Sequence, residues 1–588
     1  MIFLTSLLLI DSCSHKNIDT KTVAPKPYNK KIDKLISGPT KKPVINQFID
    51  QTELYGLRNI KATNLYAVDF NHDSFTDLVV LPEHFSIPDF YQFEGNSNKF
   101  IKLDYNPLPE VIRGSYLSFV DFNKDGILDL VVGTLNLKTE LTKYPLRFYK
   151  GVIINNKIYY SHINVNLSRG IRPTATISLF DYNLDGHLDI FEGNWYEYTG
   201  KKSKPINDQL YQGNGFKFKN ATGFLFKEAL YSKDQEKYLN ARPSFGVSTC
   251  DIDQNGYPDI LVSTSSGFKN KLWLNQKNIL NTGQRLFKDF GVESEFSSDY
   301  DGKHSPRGGG NSFYSLCTDY NNDGIMDIVV GELSHSYDTE ARDRSAFLTG
   351  TRKTFPPVFL RTEYHTDSGD GGWNQGDRRG VFFDYDMDGL VDLLVDNSGF
   401  PPKSRLILFR QEENHSFADL SEALGINILN PAGTVTLDIN RDGQMDFISG
   451  QTNIRNSKIV PRLYVFINKV LRLKKRSFRF HLKGIHSNSH GYGALLKLKT
   501  NKTTLTKWNE TISGPLPSQN ESGIYFGLGE GLPQKITVNW PIILKDKKTQ
   551  HILEYSLKNF QKKLHYDLVL CEDGSILLDR TQNCKRLF

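Results

Sequence analysis

One nine-residue pattern occurs seven times in this chain: Asp, any residue, Asp or Asn, any residue, Asp or Asn, usually Gly, two more residues, then Asp. Side-chain oxygens therefore fall at positions 1, 3, 5 and 9, the way a short loop wraps a hard cation that takes about six to eight oxygen ligands. Loop one offers Asp69, Asn71, Asp73 and Asp77, and loop two Asp121, Asn123, Asp125 and Asp129. Loop three has Asp181, Asn183, Asp185 and Asp189; loop four has Asp251, Asp253, Asn255 and Asp259. Loop five supplies Asp319, Asn321, Asp323 and Asp327. Loop six is all carboxylate, with Asp384, Asp386, Asp388 and Asp392, and loop seven has Asp438, Asn440, Asp442 and Asp446. Gly at position 6 permits the positive φ that folds the loop back on its ion, and only loop one departs, with Ser74. The all-oxygen donor set makes Ca²⁺ the expected ion.

These loops are not EF-hands, which need a Glu at position 12 and flanking helices. Position 12 is Val80, Val132, Val262, Val330 and Val395 in five copies, and Ser449 and Glu192 in the other two. The flanks are short β-branched runs such as Leu78-Val79-Val80 and Ile328-Val329-Val330, which read as strands. Each loop is followed by segments such as Leu210-Tyr211 and Leu272-Trp273-Leu274-Asn275, then by Phe287-Lys288-Asp289 or its equivalent, making four strands per unit. First-Asp spacings of 52, 60, 70, 68, 65 and 54 residues fit blades with variable loops. The expected fold class is all-β: a seven-bladed β-propeller over 46–470 with a small C-terminal β-rich domain. Asn46-Gln47-Phe48-Ile49-Asp50 has no partner in its own unit, and the last unit lacks a fourth strand after Leu463-Tyr464-Val465-Phe466. That stray strand is expected to complete blade seven.

The loops resemble those of FG-GAP/VCBS propellers, including integrin α chains. Asn488-Ser489-His490-Gly491-Tyr492-Gly493-Ala494, Pro517-Ser518-Gln519, Phe526-Gly527-Leu528-Gly529 and Val538-Asn539-Trp540-Pro541 are similar, in order, to the ASPIC/UnbV domain. Propeller plus ASPIC/UnbV is the layout of the cartilage acidic protein family and its bacterial relatives. The resemblance implies an extracytoplasmic, calcium-binding interaction protein, with the ASPIC/UnbV-like domain at 471–560 and a tail at 561–588.

The apolar run Ile2–Ile10 is too short to span a bilayer and leads to Cys13, so 1–13 resembles a bacterial lipoprotein signal with Cys13 lipidated. Residues 14–45, rich in Lys and Pro, read as a disordered tether to that anchor. Cys571 and Cys584 are expected to pair across a short loop, whereas Cys250 and Cys317 read as small buried apolar residues and not as a bridge. The net charge of +6 hides an asymmetry: +6 over 14–45, +11 over 470–588 and −10 over 46–469. Seven Ca²⁺ ions would reverse the sign of the propeller. The basic C-terminal part carries no RNA-binding or helix-turn-helix pattern, so no nucleic-acid partner is expected.

Arg113, Arg172, Arg242, Arg307 and Arg378 each precede the first strand of a blade and would ring the channel mouth remote from the metal loops. Such a ring suits carboxylate, sulfate or phosphate groups; the competing reading pairs each Arg with a neighbouring Asp. Two insertions, 194–215 with Trp195, Tyr196 and Tyr198 and 334–377 with Trp373, could stack sugars or pack the propeller face. No nucleophile elbow, zinc-protease helix, phosphate loop or dinucleotide fingerprint is present. The expected function is thus a surface-tethered binding protein for a glycan, an anionic polymer or a protein ligand. The alternative is a polysaccharide lyase or glycosidase with its site at the channel mouth.

Overall fold

A computed structural model describes residues 36–37 and 47–584, apart from 136–144, 168–171, 200–201, 226–240, 278–283, 299–307, 335–342, 352, 365–374, 400–403, 427, 472–473 and 546. Cys13, the signal-like run and Arg307 lie outside the described residues.

Each loop joins two antiparallel strands, and each hairpin grows into a four-stranded meander. In blade one the strands are Asn64–Val68, Asp77–Leu81, Asp89–Glu94 and Lys99–Lys102, paired in sequence order. The first strands of blades two to seven are Tyr116–Val120, Thr174–Phe180, Ser244–Cys250, Ser312–Thr318, Gln375–Phe383 and Pro431–Leu437. These first strands line the axis, and contacts between neighbouring blades run from blade one to blade seven and back to blade one. The ring closes through Phe48–Asp50, which pairs antiparallel with Arg462–Asn468 as the outer strand of blade seven. Upstream, Ile36–Ser37 runs parallel to Phe417–Ala418 on the edge of blade six.

The apolar runs after each loop have a simple cause. In Asp77–Leu81, Leu78 and Val80 pack toward blade seven with Val435 and Val465, while Val79 and Leu81 pack toward blade two with Leu117 and Val132. A strand buried on both faces cannot alternate apolar with polar, so it reads as a continuous hydrophobic run. The core is accordingly divided into clusters between adjacent blades.

The C-terminal domain packs two four-stranded sheets around one core that includes Phe480, Leu496, Phe526, Val538 and Trp540. The stretch read as a tail contributes a full strand, His565–Cys571, which lies parallel to Arg476–Lys483 inside the first sheet. It is therefore part of the domain. Cys571 and Cys584 are bridged, with Cα atoms 5.7 Å apart. Cys250 and Cys317 are bridged as well, which corrects their reading as unpaired. They sit on the first strands of adjacent blades, and the approach of those strands at the axis brings their Cα atoms to 6.2 Å.

Between the domain's two sheets, residues 509–523 enter the propeller axis and plug it. Gly514 N donates to Val247 O at 3.1 Å, Leu516 N to Ala175 O at 3.1 Å and Gln519 N to Leu65 O at 3.0 Å. Ala67 N donates to Gln519 O at 2.8 Å, and Glu521 N to Thr436 O at 3.2 Å. The plug thus bonds blades one, three, four and seven by backbone alone. The Gln519 side chain adds blade two, accepting from Phe119 N at 2.9 Å and donating to Phe119 O at 2.8 Å. First strands of a propeller have one edge without a strand partner, and a buried peptide group left unbonded is costly. The plug supplies partners for those edges. Gln519→Ala strips two buried backbone groups of their partners, at about 1–3 kcal/mol each. A lowered midpoint in thermal or denaturant unfolding is the expected result, and an unchanged midpoint would show that the plug is not held this way.

Candidate metal centres

The loops share one hydrogen-bond plan, with one departure at position 1. The carboxylate at position 1 accepts from the backbone N–H groups of positions 5 and 6, as in loop two, where Asp121 takes Asp125 N at 3.2 Å and Gly126 N at 2.8 Å; in loop four Asp251 takes Gly256 N alone at 3.0 Å, and Asn255 N goes to Asp253 at 3.1 Å. Position 5 caps position 7, as Asp125 does Ile127 N at 3.0 Å. In loops one, two, three, five and seven, the Asn at position 3 donates to the position 5 carboxylate: Asn71 to Asp73, Asn123 to Asp125, Asn183 to Asp185, Asn321 to Asp323 and Asn440 to Asp442. Position 9 reaches furthest. Asp129 accepts Phe122 N at 2.9 Å with one oxygen and, with the other, Gly151 N at 3.0 Å on the third strand. Asp189, Asp259, Asp327, Asp392 and Asp446 repeat this double bond, while Asp77 takes Phe93 N alone.

The turn is tighter than the Gly signal suggests, because position 4 is left-handed too. His72, Lys124, Leu184, Gln254, Asn322, Met387 and Arg441 have φ between 54° and 62°. At position 6, Ser74 takes φ 71°, where the six glycines have 79–91°. A serine there bears strain that glycine does not.

The fold thus brings the predicted ligands of each loop together, and their charge is poorly met by the protein. In loop four one oxygen from each of Asp251, Asp253 and Asp259 lies within 4.8 Å of the others, and the same holds for Asp384, Asp386 and Asp388 in loop six. Asp77 Oδ2, Asp251 Oδ1 and Asp386 Oδ1 are buried without a hydrogen-bond partner. Burial pushes Asp69, Asp129, Asp251 and Asp438 up to about 7, Asp319 to about 6 and Asp327 to about 8. Asp77, Asp181, Asp189, Asp259, Asp384, Asp392 and Asp446 are raised further by burial and then by neighbouring carboxylates. Such a donor set fits a hard divalent cation, which would hold these groups ionised.

The third strand contributes residues that the nine-residue motif does not contain. Arg410 Nη2 lies 3.1 Å from Asp386 and 2.8 Å from Asp388, with Lys475 Nζ 3.4 Å from Asp386. At the equivalent place Lys150 Nζ is 3.0 Å from Asp125, and Gln92 and Gln212 donate to Asp73 and Asp185 at 3.4 and 3.3 Å. The signal was a polar residue directly after the aromatic of this strand, as in Tyr149-Lys150, Tyr211-Gln212 and Phe409-Arg410.

The C-terminal domain rests on the loop tips. Ser489 Oγ donates to Asp121 Oδ2 at 2.7 Å, Lys124 Nζ to His486 O at 2.7 Å and Ile543 N to Leu184 O at 3.0 Å. Gly529 N bonds Met387 O at 2.8 Å, and a Cβ on Gly527 would lie 1.9 Å from Asp384 Oδ2, so the Phe-Gly-Leu-Gly motif is what lets the domain settle on loop six. Arg479 Nη1 donates to both carboxylate oxygens of Glu521 at 3.0 Å and lies 3.8 Å from Asp438 of loop seven, and Arg580 joins the same group through Asp567 at 2.9 Å. These guanidiniums hold Glu521 down at about 2 against its burial.

At the other mouth the arginines do not behave alike. Arg242 Nη1 is 3.1 Å from Asp289, the staple arrangement. Arg172 reaches Asn207 O at 3.5 Å, Arg378 donates to Ser398 O at 3.3 Å, and Arg113 is exposed. Of the insertion aromatics, Trp195 and Tyr196 are core: Trp195 packs on Phe245 and donates to Ser265 Oγ at 2.8 Å. Trp373 lies outside the described residues.

The ASPIC and UnbV family model matches residues 484–559, the segment that carries the plug. No curated protein sequence matches the chain. Among solved structures the chain is similar to the V. cholerae biofilm matrix protein Bap1, at 10% identity over 87% of this chain with a TM-score of 0.28; it spans 65% of that protein's length. It is also similar to rhamnogalacturonan lyase YesW, at 12% identity over 71% of this chain and 91% of that one, with a TM-score of 0.29.

Two predictions follow from the loop geometry. In metal-free protein the carboxylates with folded values near 6–8, against 3.8 unfolded, bind protons more tightly when folded. Their contribution is complete below about pH 4 and is lost as pH rises through 6–8. Chelated protein should therefore melt at lower temperature at pH 8 than at pH 5.5, and saturating divalent cation should remove that decline; a chelated midpoint that rises toward pH 8 would contradict the carboxylate account. Secondly, Arg410→Gln should strengthen cation binding at loop six in a site-resolved titration, because the ion no longer competes with a guanidinium. Equal affinity would mean the guanidinium swings away at no cost.

Proposed function

We propose that this chain is an exported, calcium-stabilised binding protein, in which Ca²⁺ held by the seven loops shapes the face that seats the C-terminal domain. The observation that carries this reading is the burial of position 1 and position 9 carboxylates side by side, some with oxygens that have no partner. Holding several such charges ionised at neutral pH needs a cation, and the geometry ties each one to strand pairing and not to an open coordination position. The role of the ion is therefore architectural. Two disulfides support an oxidising, extracytoplasmic location. Among the described residues no helix is long and apolar enough to cross a membrane, and the proposed membrane attachment is a lipid on Cys13.

The ligand belongs to the class the sequence suggested: a glycan, an anionic polymer or a protein ligand. At the mouth opposite the metal loops, Arg113, Arg172 and Arg378 are the cations available to it, while Arg242 is engaged by Asp289. Arg307 would join them. A ligand held there by charge should bind more weakly as salt rises.

Each ion bound only by the folded state adds about 2.7 kcal/mol at a hundredfold excess over Kd. Excess EDTA should lower Tm markedly, and Ca²⁺ should restore it with several ions per chain by elemental analysis. An unchanged melting curve would rule the calcium reading out.

A further inference from the structure

Where the plug meets the first strands of blades five, six and seven, a cavity of about 200 Å³ remains. Arg379, Thr436, Lys507, Trp508, Glu510 and Asn520 are on its wall. Arg379 is buried, yet among the described residues no carboxylate forms an ion pair with it; Asp396, whose charge acts on it, accepts from Thr434 N at 3.0 Å. Its Nε donates to Thr434 O at 2.8 Å, whereas Nη1 and Nη2 reach only Ser513 O at 3.4 Å and Asn520 Oδ1 at 3.5 Å. Buried Arg479 and half-buried Arg410 are treated differently: Arg479 meets Glu521 and Asp567, and Arg410 meets Asp386, Asp388 and Glu412.

Glu510 does not complete the pair. Its Oε1 accepts Thr249 N at 2.7 Å, and burial pushes its carboxyl up to about 8, which weakens its charge beside Arg379. The indole N–H of Trp508 is buried without an acceptor. The wall thus offers a guanidinium fork with spare N–H groups, an amide, a hydroxyl and an aromatic edge, while the Lys507 side chain faces the charges of Asp384 and Asp392 in loop six. A guanidinium fork matches a carboxylate in two parallel hydrogen bonds. Neutral donors and acceptors around it match hydroxyl groups, and the volume equals that of roughly seven water molecules.

We propose that this cavity binds a small polyhydroxylated carboxylate of hexuronic-acid size, with its carboxylate on Arg379 and its hydroxyls on Asn520, Thr436 and the Trp508 N–H. This site is distinct from the mouth arginines; its wall borders loops six and seven through Val391 and Met445.

The test is calorimetric titration of the full chain, in saturating Ca²⁺, with sodium D-galacturonate, with D-galactose as its neutral counterpart and with sodium phosphate as a plain anion. Galacturonate is expected to bind at least about tenfold more tightly than the other two. Arg379→Gln should weaken it about ten- to a hundredfold, the loss of charge-assisted hydrogen bonds. Asn520→Asp keeps the acceptor for Thr436 N and sets a carboxylate beside the guanidinium, so it should abolish binding with Tm little changed. Absence of galacturonate binding at millimolar concentration would overturn the proposal, as would equal affinity for galactose or phosphate. Undiminished binding by Asn520→Asp would overturn it too, and that variant decides the matter if Arg379→Gln does not fold.

Discussion

The carboxylate at position 9 of each loop is the contact on which the rest of the molecule depends. Asp129 shows why: one oxygen holds Phe122 N at the start of the loop and the other holds Gly151 N on the third strand. A single side chain thereby fixes the loop, the second strand that carries it and the strand beyond. An amide could accept only one of these bonds with its oxygen, and its NH₂ would face a donor. The cost is a negative charge fully inside the blade, next to the position 1 carboxylate. The crowding of charge is thus a consequence of how the blade is assembled, and a cation is the means by which the same residues can both build the sheet and stay ionised.

The axis poses a second problem, which the chain solves with its own C-terminal half. Seven first strands present unpaired edges to a narrow channel. Residues 509–523 satisfy many of those groups, so propeller and C-terminal domain share hydrogen bonds from Leu65, Ala67, Ala175, Val247 and Thr436. Neither part presents a complete set of backbone partners without the other. The same insertion narrows the channel to a cavity beside Arg379, and it makes a through-channel for a polymer unavailable. Any ligand at the arginine-bearing mouth meets a closed floor.

Much of this was legible in the residues. The recurring nine-residue loop specified blade number, because each copy must sit between two strands, and the orphan strand at Phe48–Asp50 specified how the ring closes. Contacts between parts distant in sequence were not legible. Residues 509–523 make their backbone bonds as any extended segment could, so nothing in the side chains but the Pro-Ser-Gln motif distinguishes them. His565–Cys571 alternates poorly because it is an inner strand of a small sheet, and it read as tail. Cys250 and Cys317 each looked like small core residues; only the convergence of adjacent first strands brings them within reach. Arg410 stood in the third strand, far outside the loop it neutralises.

Charge distribution explains why the two halves meet where they do. The propeller is acidic and the C-terminal part basic, and the basic side chains lie over the loops: Lys475 on Asp386, Arg479 near Asp438 and Arg580 on Ser74 O. Metal ions would compete with these cations for the same carboxylates, which alone would loosen the seat. The carbonyl contacts work in the other direction. Leu184 O, Met387 O and Gly443 O bond the domain through neutral donors and Ser74 O bonds Arg580, but only if positions 4 and 6 keep their left-handed turn. An ion coordinated by positions 1, 3 and 5 would hold that turn. A charged contact at a partly solvated face, such as Lys475–Asp386, contributes little, and geometry-dependent hydrogen bonds to the loop carbonyls contribute more, so the balance favours a domain seated more firmly with metal than without it.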